Sequence, residues 1–203
     1  MPKRKRILLA MTGASGARYG LRLLQELLRL KDVEAHLTIS PAAQKVLAVE
    51  EGVEVDLDEF DPRALGLKKT ARLTYHDCSN VGAPPASGSF RLHGMAVVPG
   101  SMGCAGRLAN GISGDLIERA GDVCIKERRR LVIVPRETPF SSIHLENLLK
   151  LSRAGATVLP AAPGFYGRPQ SIEDMVDFIV ARVLDHLELE HGLGPRWGGS
   201  PRP

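Results

Sequence analysis

Two turns built from small residues stand where the chain passes from an apolar run into a helical stretch. Gly13-Ala14-Ser15-Gly16-Ala17 follows the run beginning at Ile7, and Gly100-Ser101-Met102-Gly103-Cys104-Ala105-Gly106 follows the run beginning at Met95. Small side chains let a ligand approach the backbone, and free N–H groups at a helix start favour an anion such as phosphate. One such turn is common in α/β proteins; two in one chain raise the case for a phosphate or flavin cradle. Neither is G-x-G-x-x-G, and Ser40 rather than an acidic residue closes the second apolar run, which argues for a mononucleotide over a dinucleotide. Pro135-Arg136-Glu137-Thr138-Pro139 sets a cation beside a carboxylate at the end of another apolar run, where polar groups have few structural duties. Arg119 and Lys126 are seven apart and share a face if the stretch is helical, as an ordinary solvated face also would. In Gly164-Phe165-Tyr166-Gly167 the Tyr ring can stack on a ligand, hydrogen-bond it, or simply plug the loop. Cys104 has no His or acidic partner placed by spacing and reads as a buried small residue.

Short apolar runs alternating with helical stretches must position these groups. Strands are expected at Ile7–Thr12, Val33–Ser40, Met95–Pro99, Leu131–Pro135 and Thr157–Ala161, with a short one near Leu73–Tyr75. Leu23, Leu24, Leu27 and Leu28 mark the first helix, and Pro41 suits the first turn of a second reaching Val49. Ser171 with Asp174 forms a capping pair ahead of Ile172, Met175, Val176, Ile179, Val183 and Leu187 at helical spacing. This order implies an α/β, Rossmann-like, doubly wound parallel sheet with helices on both faces. Ligands of such sheets bind beyond the carboxyl ends of the strands, which directs attention to loops 13–17, 40–41, 84–89, 100–106, 136–140 and 161–169. Residues 52–93 are the least regular stretch, and a loop of that length inside a compact domain needs a purpose. The 203 residues read as one domain, with a basic leader over 1–6 and an extended Gly/Pro-rich tail over 192–203 around Trp197.

Composition narrows the function classes. With 43% apolar and 25% charged residues the chain has the balance of a globular domain. A net charge of +4 and an aromatic content of 4% speak against a nucleic-acid surface, which concentrates cations and stacking rings. Cys78, Cys104 and Cys124 form no C-x-x-C pair and suggest no disulfide framework, and the six histidines lack zinc-ligand spacing, so no metal is expected. No apolar run approaches a membrane span, and the run after Lys3-Arg4-Lys5-Arg6 is too short for a signal peptide, so the protein is expected in the cytoplasm.

Five segments in order resemble the UbiX flavin prenyltransferases. They are Thr12-Gly13-Ala14-Ser15-Gly16-Ala17, Pro84-Pro85-Ala86-Ser87-Gly88-Ser89, Leu131 through Pro139, Ile143-His144-Leu145-Glu146-Asn147, and Leu159 through Tyr166. The resemblance covers nearly the whole chain. It implies a Rossmann-like flavoprotein fold assembled into dodecamers, with active sites at subunit junctions and no metal. By the same resemblance FMN is held by Gly13, Ala14, Ser15, Ser40, Ser101, Met102, Gly103, Cys104 and Arg136. An allylic phosphate is handled by Ser87, Arg119, Lys126, Arg136, Glu137, Tyr166 and Arg182, some from a neighbouring subunit. Catalytic roles fall to Glu137, Ser15, Glu50, Lys126, Tyr166 and Trp197. Gly100 and Cys104 depart from relatives that often carry Cys and Thr, and a thiol hydrogen-bonds a flavin more weakly than a hydroxyl.

The implied reaction joins the dimethylallyl group of dimethylallyl phosphate to N5 and C6 of reduced FMN and releases phosphate. A departing dianion needs cations and a proton donor where charge builds up, and the inventory supplies both. The prenylated FMN would serve a UbiD-type decarboxylase, commonly that of ubiquinone biosynthesis. Two other readings share the fold: an FMN-dependent cysteine decarboxylase, whose catalytic His and Asn-containing clamp are not found here, and a non-catalytic FMN-binding protein, which would not need Lys126, Glu137 and Tyr166 together.

Overall fold

The computed structural model describes residues 4–194. Apolar runs without polar alternation make strands that are covered on both faces. Three strands are mainly of this kind, β1 (Lys5–Met11), β4 (Gly94–Gly100) and β5 (Arg130–Pro135), and β2 (Val33–Ile39) is buried along most of its length although its sequence alternates. The shorter β3 (Leu73–Tyr75) and β6 (Thr157–Val158) form the edges. All pair in parallel in the order β3-β2-β1-β4-β5-β6. The winding reverses between β1 and β4, and the crevice beyond their carboxyl ends is where such a sheet receives a ligand.

Alternation along β1 divides the core. Ile7, Leu9 and Met11 pack on one face with Leu23, Leu24 and Leu27 of α1 (Ala17–Arg29) and Val176, Ile179, Val180 and Val183 of α6 (Ile172–His186). Leu8 and Ala10 turn to the other face, against Cys104 and Leu108 of α3 (Met102–Ala109), Ile117, Ala120 and Cys124 of α4 (Leu116–Lys126), and Leu148 and Leu151 of α5 (Ser142–Arg153). The sixth helix, α2 (Pro41–Glu51), follows β2. Helix α1 lies unusually close to the sheet, because a Cβ at Gly20 would come within 2.5 Å of the Val98 carbonyl oxygen.

Three expectations need correction. Lys5 and Arg6 are not leader but the opening of β1, with the Lys5 N–H on the Asp32 carbonyl at 2.8 Å and Arg6 ion-paired to Glu34. The last strand is only two residues long because Pro160 has no N–H for the ladder; the Leu159 N–H still reaches the Ile133 carbonyl, and the Ala161 N–H that of Pro135. Residues 84–89 do not join the carboxyl-end loops. Since β3 ends at that side and β4 begins at the opposite one, the connection must travel the height of the sheet. It does so beside α4, packing Ala83 and Ala86 on Leu116. By residue 90 it has reached the amino edge, where Arg6 donates to the Phe90 carbonyl at 2.9 Å.

Candidate active site

At the carboxyl edge the two small-residue turns are tied together by Thr12. Pro99 cannot donate to the ladder, and the β4–β5 register shifts between Val97 and Gly100. The buried Thr12 hydroxyl spans this break, donating to the Pro99 carbonyl and accepting the Ser101 N–H, each at 2.7 Å. Ser101 then caps α3 by taking the Cys104 N–H at 3.3 Å. The amides of Met102 and Gly103 have no partner within the helix. The Cys104 thiol is 3% exposed, and burial pushes it up to about 12. With its N–H already bonded and its thiol in the core, Cys104 supports the turn from behind.

The first turn is occupied differently. Glu50, at the end of α2, places Oε2 against the N–H groups of Gly16 and Ala17 at 2.8 and 3.0 Å. A carboxylate of the chain itself thus sits on the positive end of α1. Burial would raise its pKa, but hydrogen bonds from Ser15, Gly16 and Ala17 and the nearby Arg136 guanidinium outweigh that and hold it below the usual value. Arg136 leaves β5 by donating Nε to the Ser15 carbonyl at 3.1 Å. Its other guanidinium nitrogens have no bond among the described residues. Ser40 caps α2 through the Ala43 N–H at 3.1 Å. Gly13 backs onto α2, where a Cβ would come 2.5 Å from that of Ala42. Glu137 is half-buried next to Arg136, its Oε1 accepting the Thr138 N–H at 3.0 Å. Gly13, Ala14, Ser15, Ser40, Glu50, Ser101 to Gly103, Arg136 and Glu137 therefore form one constellation.

Ser87 and Lys126 do not join it. Lys126 ends α4 just before β5 begins, so it stands at the amino edge. A six-residue strand, on the order of 20 Å of rise, separates it from Arg136. Ser87 lies beside it on the returning loop. Lys126 is half-exposed, and among the described residues its ion pair is a loose contact with Glu127 at 3.8 Å. Arg119, two turns up the same helix, pairs with Asp122 at 3.2 Å.

Tyr166 and Arg182 meet elsewhere, on the wall of a cavity of about 510 Å³ between the 164–169 loop, α6 and residues 191–194. Tyr166 packs edge-on against Phe178, and Arg182 is paired with Asp185 at 2.7 Å. No cradle residue lines this cavity. The cavity is a separate wall, not the flavin cradle. Trp197 lies outside the described residues.

Two positioning residues escaped the sequence reading. Thr12 carried a signal, standing in the first motif at a strand end, but the adjacent glycines drew the argument. Arg129, whose guanidinium reaches the Gly88 carbonyl, is indistinguishable in sequence from the basic run around it.

The sheet order, its switch-point crevice and the helix starts gathered there define an α/β nucleotide- or flavin-binding protein. The donor set fits FMN: open amides at α3 and a free-armed guanidinium for a phosphate, small residues for a flat ring, and no acidic strand end to seize a ribose. The flavoprotein family model matches residues 1–184. The flavin prenyltransferase UbiX of Pseudomonas aeruginosa is 50% identical, with 96% of this chain and 94% of that protein aligned. Among solved structures, a dodecameric FMN-dependent UbiX-like decarboxylase from Escherichia coli O157:H7 superposes with a TM-score of 0.85 at 40% identity, over 96% of this chain and all of the other. AnUbiX (PadA1) in complex with FMN and dimethylallyl pyrophosphate gives 0.80 at 41% identity, covering 96% and 100%. The chain belongs to the flavoprotein family and, within it, to the UbiX flavin prenyltransferases.

Proposed function

We propose that this chain transfers the dimethylallyl group of dimethylallyl phosphate to N5 and C6 of reduced FMN. The observation that carries the reading is the pairing of half-identity along nearly the whole chain with an intact carboxyl-edge constellation of Ser15, Glu50, Arg136 and Glu137. Reduced FMN, when bound, supplies the nucleophilic nitrogen and carbon. The Met102 and Gly103 amides, Ser40, Ser101 and the free arms of Arg136 hold its phosphate and ring, with Gly13 to Ser15 as floor and Cys104 as packing. Glu50, an anion fixed by three donors, keeps Ser15 and Arg136 in place beside the ring. As the donor's C–O bond breaks, its electron pair leaves with the phosphate. Ser87, Arg119, Lys126, Arg182 and Tyr166 receive that charge, and Glu137 holds or delivers the proton it needs.

A single subunit keeps its cradle and its Lys126 at opposite sheet edges, which supports sites shared between copies in a closed homo-oligomer. The proposed assembly is a dodecamer, as in the E. coli relative. The proposed product, prenylated FMN, passes to a UbiD-type decarboxylase of ubiquinone biosynthesis or a related aromatic-acid pathway. The proposed location is the cytoplasm; among the described residues no helix is long and apolar enough to cross a membrane. The test is to incubate protein, reduced FMN and either dimethylallyl phosphate or the pyrophosphate, then weigh the flavin by mass spectrometry. A flavin heavier by one five-carbon unit is expected; bound flavin of unchanged mass with both donors overturns the reading.

A further inference from the structure

The amino edge contains a clamp that the reaction as described does not use. Arg129, directly after the turn that ends α4, is 13% exposed and sends one guanidinium nitrogen to the Gly88 carbonyl. The same guanidinium stands 3.9 Å from Glu127. Gly88 itself is pressed on that turn, since a Cβ there would meet the Glu127 carboxylate at 2.5 Å. From the other side Arg6 donates to the Phe90 carbonyl and lies 4.4 Å over its ring. Two arginines from different elements thus grip both ends of a three-residue 3-10 turn, Gly88–Phe90. Ser87 caps that turn, with its hydroxyl accepting the Ser89 N–H. The serine is held in turn to the segment that carries Lys126.

We propose that Arg129 is a positioning residue for the donor phosphate: it locks Ser87 and Lys126 into one rigid unit, so that a subunit presents both together to its neighbour's flavin. This rests on the assignment of Ser87 and Lys126 to the phosphate. A phosphate takes several donors at once, and fixing them beforehand removes the ordering cost from binding. Arginine suits the task because its long, rigid guanidinium reaches the Gly88 carbonyl with one nitrogen while its charge lies 3.9 Å from Glu127. A lysine at 129 keeps the charge but loses the guanidinium.

The experiment compares wild type, Arg129→Ala, Arg129→Lys, Ser87→Ala and the Arg129→Ala/Ser87→Ala double variant with dimethylallyl phosphate as the varied substrate. Assembly mass and FMN titration are measured on each. Arg129→Ala should raise the donor KM roughly 10-fold while kcat stays within about threefold, FMN affinity and mass unchanged, and Arg129→Lys should recover part of the loss. In the double variant the two effects should be far from additive, because Arg129 acts through the Ser87 turn. Additive losses, an unchanged KM in Arg129→Ala, or a raised KM accompanied by loss of assembly each overturn the clamp. A neutral Ser87→Ala overturns the phosphate assignment beneath it as well. Should Arg129→Ala fail to fold, Gly88→Ala tests the same joint by wedging a methyl group against Glu127, and an unchanged donor KM there overturns the proposal.

Discussion

The two edges of the sheet solve opposite problems. At the carboxyl edge the groups that shape the cradle are anchored within the chain: Glu50 by three donors, Thr12 by the end of β4 and the turn that follows it, Arg136 through one nitrogen by the Ser15 carbonyl. At the amino edge Lys126 is left half-exposed beside a 3.8 Å contact, and exposed ion pairs of that kind contribute little. One edge is finished by its own chain and the other is offered outward. In the proposed assembly this contrast puts the subunit boundary through the active site, between the residues assigned to the flavin and Lys126 with Ser87 on the leaving group.

The largest expected effect separates chemistry from binding at the finished edge. Glu137→Gln keeps the side chain's size and removes the acid, so single-turnover prenylation should fall by roughly 10²–10⁴-fold. FMN affinity should hardly change. A wild-type rate would make the carboxyl group structural and weaken the reading of that edge as reactive.

An intermediate effect tests the offered edge. Lys126→Ala should raise the donor requirement by roughly 10–100-fold, the range for one lost hydrogen bond from a charged group, and leave flavin titration untouched. Mixing then sharpens the comparison. If Lys126→Ala chains and Glu137→Gln chains are co-assembled, sites built from two chains regain both groups, and about a quarter of wild-type activity should return on random association. No recovery in mixed oligomers would mean that both groups act within one subunit.

The smallest effect concerns acid. His36 and His76 stack with Nδ1 and Nε2 2.9 Å apart, between Phe90 and Glu34, with Arg6 nearby. Burial, and then His36, lowers His76 to about 4 from an ordinary value of 6.5. A folded value below the unfolded one means that protons favour the unfolded chain. Stability from this pair is therefore complete above about pH 6.5 and drains away as pH falls toward about 4. The loss should reach about 1 kcal/mol or more, some 2–4 °C in Tm for a chain of this length. Glu50 behaves the other way in range: its anchoring of α1 persists down to the ordinary carboxylate value of 4.5 and is lost only below. Between pH 6 and 5, hydrogen exchange should quicken across 76–93 before it quickens at the cradle, and simultaneous loosening would erase the distinction.

How far this was legible follows from the range over which each feature acts. Strand cores, the helix start at Pro41, the Ser171 cap and the place of Arg136 and Glu137 at a strand end depend on near neighbours and were read with few errors of boundary. Residues 84–89 went to the wrong end of the sheet because turn chemistry shows that a chain bends, not which way it travels afterwards. Glu50 entered only through family resemblance: its partners Gly16 and Ala17 lie more than thirty residues away, and a Glu at a helix end advertises nothing. Arg129 was hidden for the same reason, since a guanidinium that grips a backbone carbonyl looks in sequence like one that grips water.

The carboxylate on α1 also explains what this fold declines. Sheets with this strand order commonly seat the pyrophosphate of a dinucleotide on the first helix start. Here that seat has a permanent tenant tethered through α2, so an arriving pyrophosphate would meet like charge instead of open amides, and would have to evict a group that cannot diffuse away. Prior occupation by the chain's own carboxylate is thus a physical route to favouring the shorter cofactor, one that works without any recognition of the dinucleotide.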